Sequence, residues 1–136
     1  MKKFFLPVLF SIAGCAGLPT NNIDNTIPPT TLTLSMSKDK AATAIKKLVA
    51  LNGWKMEQDT PGSGIIVADD PTRMPGWLFS YNVRYVFTIE QTENDTLVTI
   101  DGVAVMHGDN GPFVKKGRTS ALKIQEEKVA KELLAQ

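Results

Sequence analysis

The stretch Phe79-Ser80-Tyr81-Asn82-Val83-Arg84-Tyr85-Val86-Phe87-Thr88-Ile89-Glu90 decides the fold. In an extended chain successive side chains alternate between two sides, so Phe79, Tyr81, Val83, Tyr85, Phe87 and Ile89 share one face. Ser80, Asn82, Arg84, Thr88 and Glu90 share the other. Six successive apolar positions on one face predict the central strand of a sheet.

Working outward, Thr92-Glu93-Asn94-Asp95 is a turn, and Leu97-Val98-Thr99-Ile100 returns as the partner strand. Asp101-Gly102 is expected to form a bulge before the strand resumes at residues 103–106. Residues 107–117, with three glycines and one proline, read as a polar loop. A closing helix follows, capped by Thr119 or Ser120. It buries Leu122, Val129, Ala130 and Leu133 and turns Lys123, Glu127, Lys128 and Lys131 to water.

On the other side of the deciding stretch, Leu32, Leu34 and Met36 alternate on a first strand, and Ser37 is a good helix cap. Ala41, Ala42, Ile45, Leu48 and Val49 recur at helical spacing over residues 38–52. Gly53 suits the left-handed position that ends such a helix, with Trp54 folding back. Two short strands, 54–58 and 65–68, flank a Pro- and Gly-rich turn. The order β-α-β-β-β-β-α predicts an α+β two-layer sandwich: an antiparallel sheet of about five strands with two helices on one face.

The 136-residue length fits a single folded domain, placed at residues 30–136. Fifteen basic residues against fourteen acidic ones, without a dense basic run, exclude nucleic acid as the expected partner. Cys15 is the sole cysteine, so no disulfide can form within the chain.

The N-terminus is of a different kind. Met1-Lys2-Lys3 precedes an apolar run from Phe4 to Ala13, and Ile12-Ala13-Gly14-Cys15 closes it. An aliphatic residue, two small ones and a cysteine resemble the lipobox of bacterial lipoproteins. The resemblance implies a signal peptide over residues 1–14, removed by cleavage, and diacylglycerol on the Cys15 thiol with a further acyl group, such as palmitate, on the new amino group. Loss of Lys2 and Lys3 would move the net charge from +1 to −1. Several acyl chains anchor firmly where one alone is marginal. The apolar run, about ten residues, is too short to span a bilayer that needs about twenty. Residues 15–29, rich in Pro, Asn and Thr, read as the lipidated cysteine with a flexible tether. Ala16 lacks the aspartate that resembles an inner-membrane retention signal, which favours the outer membrane, on its periplasmic side in a host with two membranes. The order of elements after the tether loosely resembles the helix-grip domains of envelope lipoproteins, which suggests a shape and implies no shared function.

Four places are candidates for chemistry or binding. His107 with Asp101 and Asp109 would offer a general base or a metal ligand, although a strand end and turn chemistry account for the same residues. Asp69-Asp70 would offer oxygen ligands to a hard cation, but the pair also fits the end of a strand before Pro71. Lys115-Lys116-Gly117-Arg118 would meet anionic headgroups or simply solubilise a loop. In the loop around Arg73, Met74 and Trp77, residue types enriched at protein interfaces flank a Pro-Gly turn, and Trp77 would otherwise close the end of the core.

No nucleophile elbow, phosphate loop, zinc-binding helix or dinucleotide fingerprint occurs, so neither an enzyme nor a cofactor is expected. The expected function is that of a membrane-anchored envelope lipoprotein acting as a protein-binding or assembly module. Its expected partners are the lipid bilayer, through acylated Cys15, and an envelope protein. A ligand-binding or hydrolytic domain, and a phage- or plasmid-borne lipoprotein that blocks a receptor, are the alternatives.

Overall fold

A computed structural model of the chain describes residues 22–60, 62–75 and 79–136. Cys15 and Trp77 lie outside the described residues. Strand β1 (Thr30–Leu34) leads into helix α1 (Lys38–Leu51). Strands β2 (Lys55–Thr60), β3 (Ile65–Asp69), β4 (Ser80–Gln91), β5 (Thr96–Gly108) and β6 (Gly111–Lys115) follow, and helix α2 (Ser120–Leu134) closes the chain. The antiparallel sheet runs β1-β5-β4-β3-β2, with β6 also paired to β5, so β4 is its middle strand, as its apolar face predicts.

Side-chain chemistry sets the helix limits. The Ser37 hydroxyl accepts from the Lys40 amide at the start of α1, and Thr119 does the same for Leu122 at the start of α2. At the end of α1 the Gly53 amide donates to Ala50 O and the Trp54 amide to Val49 O, the paired bonds of a Schellman turn. That turn requires the positive φ of 71° which Gly53 supplies.

Tyr81, Val83, Tyr85, Phe87 and Ile89 of β4 form one core with Ile45 and Leu48 of α1 and with Leu122, Val129 and Leu133 of α2. Both helices therefore cover the same face of the sheet. Trp54 stacks on Tyr85 with centroids 4.7 Å apart. Burial raises the Tyr85 hydroxyl pKa above its ordinary value.

Three expectations change. The loop expected over residues 107–117 contains β6, giving six strands where about five were expected. Pro112 is tolerated there because β6 pairs with β5 on one side only. Asp101-Gly102 is not a bulge: β4 and β5 pair without a break from Ser80 opposite His107 to Gln91 opposite Thr96. The irregularity falls instead in β2, between Met56 and Gln58. Finally, Asp24 to Pro28, within the expected tether, are hydrogen-bonded to the domain: the Asp24 amide donates to Arg118 O at 2.7 Å.

Candidate functional site

Two collinear strands share the outer edge of β5. β1 covers it from Thr96 to Ile100, and β6 covers it from Ala104 to Gly108, leaving residues 101–103 between them without a strand partner on that side. A peptide N–H buried in such a gap needs another acceptor. Glu126 of α2 supplies it: Oε2 accepts from the Gly102 amide at 2.6 Å, while Oε1 accepts from the Thr30 amide at 3.1 Å and the Thr30 hydroxyl at 3.0 Å. The Glu126 side chain has no solvent exposure. A side chain at position 102 would put its Cβ 3.3 Å from Oε2 and 3.4 Å from Cγ, so Gly102 is what lets the carboxylate close on the strand.

Arg118 compensates this buried charge, and all five of its guanidinium donors are used. Nη1 donates to Asp101 Oδ1 and, at 2.6 Å, to Glu126 Oε2; Nη2 donates to Glu126 Oε1 and Pro28 O, both at 2.9 Å. Nε donates to Ile27 O at 3.1 Å. Burial alone would lower the Arg118 pKa, but hydrogen bonding and charge from Glu126 and Asp101 carry it above its ordinary value. The Asp101 carboxyl is raised, because burial outweighs the guanidinium that faces it. One cation thus joins the incoming segment, β5 and α2.

The face of the sheet away from the helices carries a second set of polar pairs. Arg84 on β4 and Asp69 on β3 stand directly opposite and form a two-point ion pair, Nε to Oδ1 at 2.7 Å and Nη2 to Oδ2 at 3.0 Å. That pairing raises the Arg84 pKa. His107 Nε2 lies 2.5 Å from Oδ1 of the buried Asn82. With the amide oxygen accepting, Nε2 carries the proton. Register places Val86 and Val103 on this same face beside Arg84, both half-buried.

The sequence candidates are dispersed. His107, Asp101 and Asp109 do not converge: His107 engages Asn82, Asp101 engages Arg118, and Asp109 is exposed after β5. Asp69 is taken up by Arg84, while Asp70 Oδ1 accepts from the Thr72 amide at 2.9 Å in a local turn. Arg118 leaves the basic run 115–118 for the buried cluster. Met74 is half-buried against the core and bridges Tyr81 through two backbone hydrogen bonds, whereas Arg73 is exposed. A cleft of about 250 Å³ lies between α1 and β2–β3, lined by Lys38, Lys46, Asp59 and Ile89 among others, and neither His107 nor Arg84 reaches it. Lys46 and Asp59 pair across it at 2.9 Å. Among the described residues, no group of three or more His, Cys, Asp or Glu is placed to hold a metal ion.

Glu126 was legible only in part. Its spacing from Leu122, Val129 and Ala130 puts it on the apolar stripe of α2, and a lone carboxylate on such a stripe signals a buried partner. No family model and no curated protein matches the chain.

Proposed function

We propose that this protein is an exported lipoprotein, held by acylated Cys15 on the periplasmic side of an outer membrane, whose α+β domain binds an envelope protein without catalysis of its own. Ile12-Ala13-Gly14-Cys15 supports the anchor. The observation that carries the binding role is the helix-free face, where half-buried Val86 and Val103 surround the Arg84–Asp69 pair. A mixture of apolar side chains with an arginine held rigid by its neighbour suits a protein interface.

Two measurements test the two halves. The Cys15→Ser protein is expected to leave the membrane fraction with its circular dichroism unchanged; retention through the folded domain would refute lipid as the anchor. A photocrosslinking residue at Val86 in the full chain is expected to capture an envelope protein in the cell, and one at the exposed Lys47 on α1 is not. Adducts from Lys47 alone, or from neither position, would refute the interface.

A further inference from the structure

Among the described residues, five large apolar side chains are exposed: Ile23, Leu51, Phe79, Phe113 and Val114. Leu51 ends α1, but the other four gather along β6 and the corner that follows it. Phe113 and Phe79 meet edge to face with centroids 5.9 Å apart, and Phe113 and Val114 remain 48 % and 45 % exposed. Ile23 packs over Gly117, where an added Cβ would come within 2.8 Å of it. The stretch 111–117 contains Lys115 and Lys116 and no acidic residue, and Lys116 is exposed. Asp24 and Asp109 are acidic groups near its two ends, and the partly exposed Asp101 is paired with Arg118 just beyond Gly117. Exposed aromatics beside lysines on one edge are the chemistry of a surface that rests on lipid headgroups.

The path of the chain points the same way. The segment that comes from Cys15 meets the domain at this corner, through the Asp24 amide on Arg118 O and the Arg118 amide on Asn25 Oδ1. Fully extended, the eight residues from Cys15 to Ile23 span at most about 28 Å, and as a coil about 16 Å. β2 lies at the far edge of the sheet, four strand spacings or about 19 Å from β1 and β6, which line the outer edge of β5. A contact too weak to hold a free protein becomes effective once a short tether makes it intramolecular.

We infer that the β6 edge and the Gly117 corner face the bilayer, with anionic headgroups as their partner and β2 turned away. This rests on the lipid anchor proposed above. It also leaves the helix-free face lateral and open to a protein.

The test uses the full lipidated chain, extracted from its own membrane and reconstituted into vesicles of phosphatidylethanolamine and phosphatidylglycerol. A fluorophore is attached through Phe113→Cys in one sample and through Glu57→Cys on β2 in another, with a headgroup spin-labelled lipid as quencher. Quenching at position 113 is expected to be several-fold stronger than at 57, and Lys116→Glu is expected to reduce it. Equal quenching at the two positions, or stronger quenching at 57, overturns the orientation while leaving the anchor intact. Absence of the chain from the membrane fraction would refute the anchor itself, and the orientation with it.

Discussion

Arg118 and Arg84 each pair with a carboxylate, Glu126 and Asp69, in opposite circumstances. Arg118–Glu126 lies under α2, its carboxylate wholly buried, and ties together residues 27–30, β5 and the start of α2. Arg84–Asp69 lies on the uncovered face, its side chains 30 % and 16 % exposed, and joins only two strands that already pair through their backbones. The first repairs a defect in the sheet edge and fixes where the incoming chain attaches. The second reinforces a ladder that already holds, and in the proposed binding role its arginine would be the group that meets a partner. Burial, more than geometry, separates a charge pair that the fold needs from one that it displays.

The comparison breaks most easily at Glu126. Glu126→Ala would leave Arg118 with the partly exposed Asp101 as its remaining counter-charge, and the Gly102 and Thr30 amides short of their acceptor. A loss of about 3–5 kcal/mol is expected in urea unfolding. Replacing both partners together, Arg118→Met with Glu126→Leu, should cost much less than the two single losses combined. Strict additivity would show that the two side chains act independently, contrary to their shared hydrogen bonds.

Gly102→Ala probes the same cluster from the strand. Its added Cβ sits inside the usual contact distance of the Glu126 carboxylate, and a loss of about 1–3 kcal/mol is expected. In a Glu126→Ala background the same change should cost less, because the obstructing side chain is gone. Thermal unfolding of the four proteins completes that cycle.

On the open face the expected effect is smaller. Arg84→Ala and Asp69→Ala should show a coupling of about 1–2 kcal/mol in a double-mutant cycle, above the range for exposed pairs because this one is bidentate and partly buried, and below that of the buried pair. Arg84→Ala should nevertheless abolish the adducts formed from position 86 while the domain stays folded. A coupling as large as that of the buried pair would erase the contrast.

What the sequence could reveal follows from the same contrast. β4 was legible because one of its faces is buried and the other is not, so its alternation is written in residue type. β6 was not legible, because three of its five residues are exposed and alternation vanishes where neither face is covered. Its glycine and proline then read as loop. Glu126 is hard to read from sequence because a stripe is recognised by its apolar members, and the gap it fills exists only once β1 and β6 have taken their places beside β5. Gly102 reads as a bulge in the sequence, but its backbone is regular, and its reason is the carboxylate 24 residues away in sequence. The candidate loop is divided likewise: Met74 packs inward through a bridge to Tyr81 that no local spacing encodes.

Asp101 lies between the two regimes and gives the smallest effect. It faces Arg118, yet its side chain is 42 % exposed, and Glu126 already compensates the guanidinium. Because burial raises its folded-state pKa above the ordinary 3.8, the folded protein holds the Asp101 proton more tightly than the unfolded chain does. This contribution to stability is fully present below pH 3.8 and is lost as pH rises through the raised folded value. Asp101→Asn removes the titration, so the variant should gain stability relative to the wild type across that window. At neutral pH the two should differ by about 1 kcal/mol or less, given the solvent that screens the pair. Urea midpoints of both proteins, measured from below pH 3.8 to neutrality, check the sign. If the variant instead lost ground as pH rose, the attraction of Arg118 would outweigh burial. Asp101 would then belong with Glu126 as a carboxylate the fold requires in its charged form.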